Sequence, residues 1–156
     1  MQTCEEHSGR RFCLDEANAM LPLVRVIVSD LVQLARDVSE RLERLTMLFA
    51  MRDEIEPRDP YLEELLAVCE ELERDRCRLW EYADELIKLG VEPESVVEGL
   101  VDFPSELDGR PVALCWKLGE SEISFWHEWD AGYAERRALT VINPTDAGVE
   151  ETAAVV

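Results

Sequence analysis

From Leu14 onward the apolar residues run Leu14, Ala17, Leu21, Val24, Val28, Leu31, Ala35, Val38, Leu42, Leu45 and Phe49, and every step is three or four residues. Only a long helix packed lengthwise on another helix needs that period for so many turns. A second row, Met20, Ile27, Leu34 and Leu48, widens the stripe and is broken at Arg41. One neighbour cannot cover so broad a face. The acid-first pairs Asp37/Arg41 and Glu40/Arg44 mark the solvated side.

Two prolines in Met51–Pro60 (MRDEIEPRDP) end this helix. A second stripe follows at Leu62, Leu65, Cys69, Leu72, Arg76, Leu79, Ala83 and Leu86, with Leu66, Trp80 and Ile87 beside it. Glu70/Arg74 and Asp84/Lys88 mark its wet side, and Gly90 stands where a C-cap is expected. The spacing predicts helices over 14–52 and 60–89, joined as an antiparallel, coiled-coil-like hairpin. With about 36 and about 28 residues at roughly 1.5 Å each, the first helix overhangs the second by about 12 Å. The overhang falls near Leu21–Val28, an apolar stretch that needs a cover, and the C-terminal part of the chain is the available one. The stripe width left over predicts that two hairpins pair as a homodimer. At the first helix's start, Cys13–Glu16 occupies the place of a capping box, but a thiol accepts poorly, so Asp15 is the alternative cap. Pro22 lies beyond the first turn and is expected to bend the helix.

After the helices the pattern changes. Leu100–Phe103, Pro111–Leu118 and Glu122–Trp129 are rich in Val, Ile, Phe and Trp and read as strands. Asp108-Gly109 is a turn, and Gly119–Ser121 suits a tight hairpin. On the third strand Phe125, His127 and Trp129 share one face, and Trp126, Glu128 and Asp130 the other. Neither face is purely apolar, which predicts that both are partly covered. The expected fold is α+β, mainly α: the hairpin plus a small three-stranded antiparallel sheet over 98–130, in a single domain over 12–142. Residues 1–11 read as a flexible leader and 143–156 as a disordered tail.

Thirty-five acidic against sixteen basic residues give a formal charge of −19. Phosphate backbones and anionic lipid would repel such a chain, so neither nucleic acid nor a membrane is an expected partner. The longest apolar run, Leu21–Val32, contains Arg25 and Asp30 and is too short to span a bilayer. The five cysteines form no C-x-x-C pair and the leader has no apolar core, which points to reduced thiols in the cytoplasm.

The residues with chemical potential gather near His127. An imidazole with Glu120 and Glu122 offers a divalent metal three ligands, and Glu128 and Asp130 are close in sequence. Adjacent strand residues face opposite ways, however, so His127 and Glu128 cannot share one ion without a bulge. Trp116, Trp126, His127, Glu128, Asp130 and Arg136 together read as a ligand or partner surface. The plainer alternative packs His127 and Trp126 into the sheet and pairs Glu128 or Asp130 with Arg136 or Arg137. Helical pyrophosphohydrolases place magnesium on two acidic motifs; Glu81–Asp84 fits one, but Arg74 occupies the required acidic position of the other. No glycine-rich phosphate loop and no nucleophile–histidine pairing is recognisable. The functional expectation is therefore a non-enzymatic interaction or ligand-binding module with no catalytic residue and no required cofactor. The alternative is a metal-dependent hydrolase built on His127 and nearby carboxylates.

Three blocks together, FCLDEANAMLPLV (12–24), GLVDFP (99–104) and LCWKLGESEISFWHEWDAGYAERR (114–137), resemble the bacterial family called domain of unknown function 2203. The resemblance covers roughly residues 12–138. It implies an α-hairpin with a small β element in a cytosolic protein, and it brings no established activity. Two departures stand out: Cys13, where threonine is usual, and an acidic, proline-bearing hairpin tip (Asp53, Glu54, Glu56, Asp59) in place of a glycine-rich one.

Overall fold

The computed structural model describes residues 9–52 and 59–139. The expected tail, most of the leader and most of the acidic tip lie outside the described residues.

Helix α1 spans Leu14–Ala50 and α2 spans Pro60–Lys88. Asp59 caps α2 by accepting from the Tyr61 N–H at 2.9 Å, with Pro60 in the first turn. The N-cap of α1 is Cys13 rather than Asp15, and Glu16 accepts the Cys13 N–H at 3.3 Å. At the end of α2 the Gly90 N–H reaches Ile87 O and the Val91 N–H reaches Leu86 O, both at 2.9 Å, which is the Schellman arrangement.

The helices run antiparallel, since Arg52 pairs with Asp59 and Arg41 with Asp75. Val38, Leu45, Leu65 and Leu72 are buried between them. Arg41, which breaks the apolar row in the sequence, turns into this seam and bonds both Asp75 and Asp37. The hydrogen bond from Arg41, aided by its charge, holds the Asp75 carboxyl below the usual carboxylate range. By length and composition alone, α1 is long and apolar enough to cross a membrane; here its Leu21–Val32 side is covered by the sheet.

That sheet has five strands, not the three expected: β1 Glu92–Ser95, β2 Leu100–Leu107, β3 Arg110–Lys117, β4 Phe125–Glu128 and β5 Arg137–Ala138. They form an antiparallel meander in chain order. Asp108 (φ 50°) and Gly109 (φ 75°) close the β2–β3 hairpin, both in the left-handed region a type I′ turn requires. The β3–β4 connection is longer than the tight turn expected from Gly119–Ser121. Ile123 is drawn into the core, and its N–H bonds the Asn18 side chain of α1 at 2.8 Å.

Register divides the sheet into two faces. Val101 lies opposite Trp116, and Phe103 opposite Leu114, which in turn lies opposite Trp126. These residues pack on Ala17, Leu21, Val24, Val28 and Leu31 of α1. The helix overhang is therefore roofed as its apolar surface demands: Leu21, Val24 and Val28 are 3%, 0% and 1% exposed. The chain entering α1 also lies along β2, with the Phe12 N–H on Pro104 O at 2.8 Å and the Ser105 hydroxyl on Phe12 O at 2.7 Å.

Gly99, just before β2, is wedged between Leu118 and the Val28–Val32 side of α1. Its φ is +69°, and a Cβ there would lie 2.7 Å from Leu118 Cβ and 3.1 Å from Val32. Gly99→Ala is expected to destabilise the fold by about 2–4 kcal/mol, combining backbone strain with overpacking. Urea denaturation checks this, with Gly109→Ala as a control that carries similar strain but meets nothing within 4 Å.

Candidate functional site

The second face of the sheet carries Asp102 on β2, Cys115 directly opposite it on β3, and His127 on β4, opposite Ala113. All three are interior: 5%, 0% and 3% exposed. One ligand atom from each lies within 4.8 Å of the other two. His127 Nε2 is 3.1 Å from both Asp102 oxygens, and Nδ1 is 2.8 Å from the Glu128 carbonyl. A carbonyl only accepts, so Nδ1 carries a hydrogen. Nε2 and the Asp102 carboxyl are then held together by one further proton between them.

Burial is the main cause that raises the Asp102 carboxyl above its ordinary pKa; His127 opposes the shift and Glu94 adds to it. The Cys115 thiol is pushed up to about 12, first by burial and then by the neighbouring Asp102 charge. Despite the residue types, this is not a nucleophilic triad. His127 spends one nitrogen on Asp102 and the other on a backbone carbonyl, which leaves none to take the thiol proton.

The returning chain carries cationic and aromatic groups beside this face. The Arg136 guanidinium lies 4.0 Å from the Phe125 ring centroid and 4.3 Å from that of Tyr133, and it donates to Glu120 at 2.7 Å. The second Glu120 oxygen accepts the Lys117 N–H at 3.1 Å, and its backbone carbonyl accepts the Trp116 indole N–H at 3.0 Å.

The residues singled out from the sequence thus separate. Trp116 and Trp126 lie in the core between sheet and α1, and His127 lies in the opposite, also covered, face. Glu128 pairs with Arg110, Arg136 with Glu120, and Asp130 and Glu122 are exposed. What converges on His127 is Asp102, which the sequence did not single out, and Cys115, which reads from its strand position as a core residue. The available signal was an acid, Asp102, inside the otherwise apolar run Leu100–Phe103.

Large apolar side chains are exposed elsewhere. On α2, Leu66 is 52% exposed, Trp80 73% and Ile87 56%. With Glu73 they recur at seven-residue intervals, so they form one row along the helix.

No curated protein and no solved structure matches this chain. A family model described as "Uncharacterized conserved protein (DUF2203)" matches residues 10–139, spanning both helices, the sheet and the Asp102–Cys115–His127 cluster, and the chain belongs to that family.

Proposed function

We propose that this protein is a non-enzymatic interaction module that self-associates through the exposed face of α2. The observation that carries the reading is Trp80, a large aromatic left 73% exposed in a row with Leu66 and Ile87. Isolated exposed apolar residues are ordinary, but a row of three along one helix is the mark of a packing surface. The row is also self-complementary. In an antiparallel pairing of two α2 helices about an axis between Arg76 and Cys77, Leu66 meets Ile87 of the second copy and Trp80 lies over the Glu73 stem. Glu73 and Arg76, bonded within one chain at 3.2 Å, can then exchange partners across the axis.

Trp80→Glu is expected to weaken the dimer by at least ~2 kcal/mol, about thirtyfold in dissociation constant, while leaving helix content unchanged. Sedimentation equilibrium and circular dichroism read the two quantities. Because each copy carries a charge of −19, added salt should strengthen the dimer. A wild-type chain that stays monomeric at every accessible concentration overturns self-association. Binding to a basic partner that weakens with salt would assign the face to a different protein.

A further inference from the structure

We propose that Asp102, Cys115 and His127 bind one zinc-class transition-metal dication between strands β2, β3 and β4. Geometry comes first. Tetrahedral zinc with bonds of 2.0–2.3 Å sets its ligand atoms about 3.3–3.8 Å apart. The three candidate donors already lie within 4.8 Å of one another, with Nε2 to the carboxylate at 3.1 Å. An ion between these donors needs no change in strand register, because all three already face one another.

The tautomer is also set for it. The Glu128 carbonyl takes the Nδ1 hydrogen and aims the Nε2 lone pair at the centre of the cluster. Metal-binding histidines are oriented by just such a hydrogen bond on the other nitrogen. The carboxylate oxygens converge on the same centre, so a cation there would replace the single proton that now bridges two acceptors.

Charge balance favours the dication. A carboxylate, a thiolate and a neutral imidazole around a 2+ ion sum to zero, which suits three residues each at most 5% exposed. A coordinating thiol loses its proton outright. One sulfur and one nitrogen among three donors select zinc or cobalt over magnesium or calcium, which take oxygen ligands. This site shares no residue with the α2 face and stands or falls independently of it.

Cobalt(II) titration of chelator-treated protein tests the assignment, because thiolate-bound cobalt shows a charge-transfer band that oxygen-bound cobalt lacks. The expected result is a band that saturates at one equivalent, is abolished by zinc and is unaffected by magnesium. A chain with Cys4, Cys13, Cys69 and Cys77 replaced by serine keeps Cys115 as its only thiol and should retain the band. Cys115→Ser alone should lose it, and Asp102→Asn should raise the dissociation constant for zinc at least about tenfold. The proposal is overturned if no band forms at stoichiometric cobalt. Loss of the band in the four-serine chain, which does not require Cys115→Ser to fold, overturns it equally.

Discussion

Trp116→Ala is expected to remove about 3–5 kcal/mol of stability, a large share of the 5–15 kcal/mol typical of a domain. Trp116 has no exposed surface, lies opposite Val101 of β2 and belongs to the core that the sheet shares with the overhanging part of α1. Both sides of that core are hydrogen-bonded elements that cannot collapse into a cavity, so most of the lost volume stays empty. Its indole N–H also bonds the Glu120 carbonyl, which in turn positions the carboxylate that holds Arg136. A contrast within the same core isolates the two contributions. The Trp126 N–H is buried without an acceptor among the described residues, so Trp126→Phe forfeits packing only, whereas Trp116→Phe forfeits a bond as well. Urea unfolding followed by circular dichroism should rank Trp116→Ala worst and Trp116→Phe below Trp126→Phe. A cost under about 1 kcal/mol for Trp116→Ala would mean that the sheet does not roof α1.

The helical half was legible because every buried position repeats one message. The three-and-four spacing, the prolines at the tip and Gly90 each select the same boundaries, and the length mismatch alone demanded a roof over Leu21–Val28. Two of the five strands escaped because their side chains carry no strand signal. β1 reads Glu-Pro-Glu-Ser, and β5 is two exposed residues. Backbone pairing with β2 and β4 makes them strands, and that depends on partners distant in sequence. Proline hid the length of β2 for a related reason. Pairing to β1 stops at Asp102, so Pro104 lies where that edge is free, and the Phe12 N–H fills its carbonyl instead.

At the site, alternation assigned the faces of Phe125, Trp126, His127 and Glu128 as the register shows them. It left open what covers each face. Aromatic residues on both sides meant cover on both sides: α1 over Trp126, and Arg136 over Phe125 on the face that carries His127. The identity of the histidine's partner was beyond reach, because it follows from register. Glu122 and Glu128 are close in sequence yet point elsewhere, whereas Asp102 arrives across β3 from twenty-five residues away.

The second large effect concerns that pair. His127→Ala is expected to cost about 3–5 kcal/mol, because it leaves the Asp102 carboxyl buried without the imidazole. Replacing both residues by apolar ones of similar volume, Asp102→Val with His127→Leu, should recover most of the loss, giving a coupling of about 1–3 kcal/mol. The dependence on pH has a definite sign. An acid whose folded pKa lies above its unfolded value is held as a proton carrier by the fold, so its favourable contribution is complete below the ordinary value of 3.8 and is lost as pH rises through the folded pKa. Wild-type stability, measured against Asp102→Val with His127→Leu, should therefore fall with rising pH, by at most ~1.4 kcal/mol per unit for one proton. Because His127 is what restrains the upward shift, His127→Ala should move the fall to higher pH. Chemical denaturation from pH 4 upward reads both curves. Parallel profiles for wild type, His127→Ala and the double variant would show that the buried carboxyl does not feel the imidazole at all.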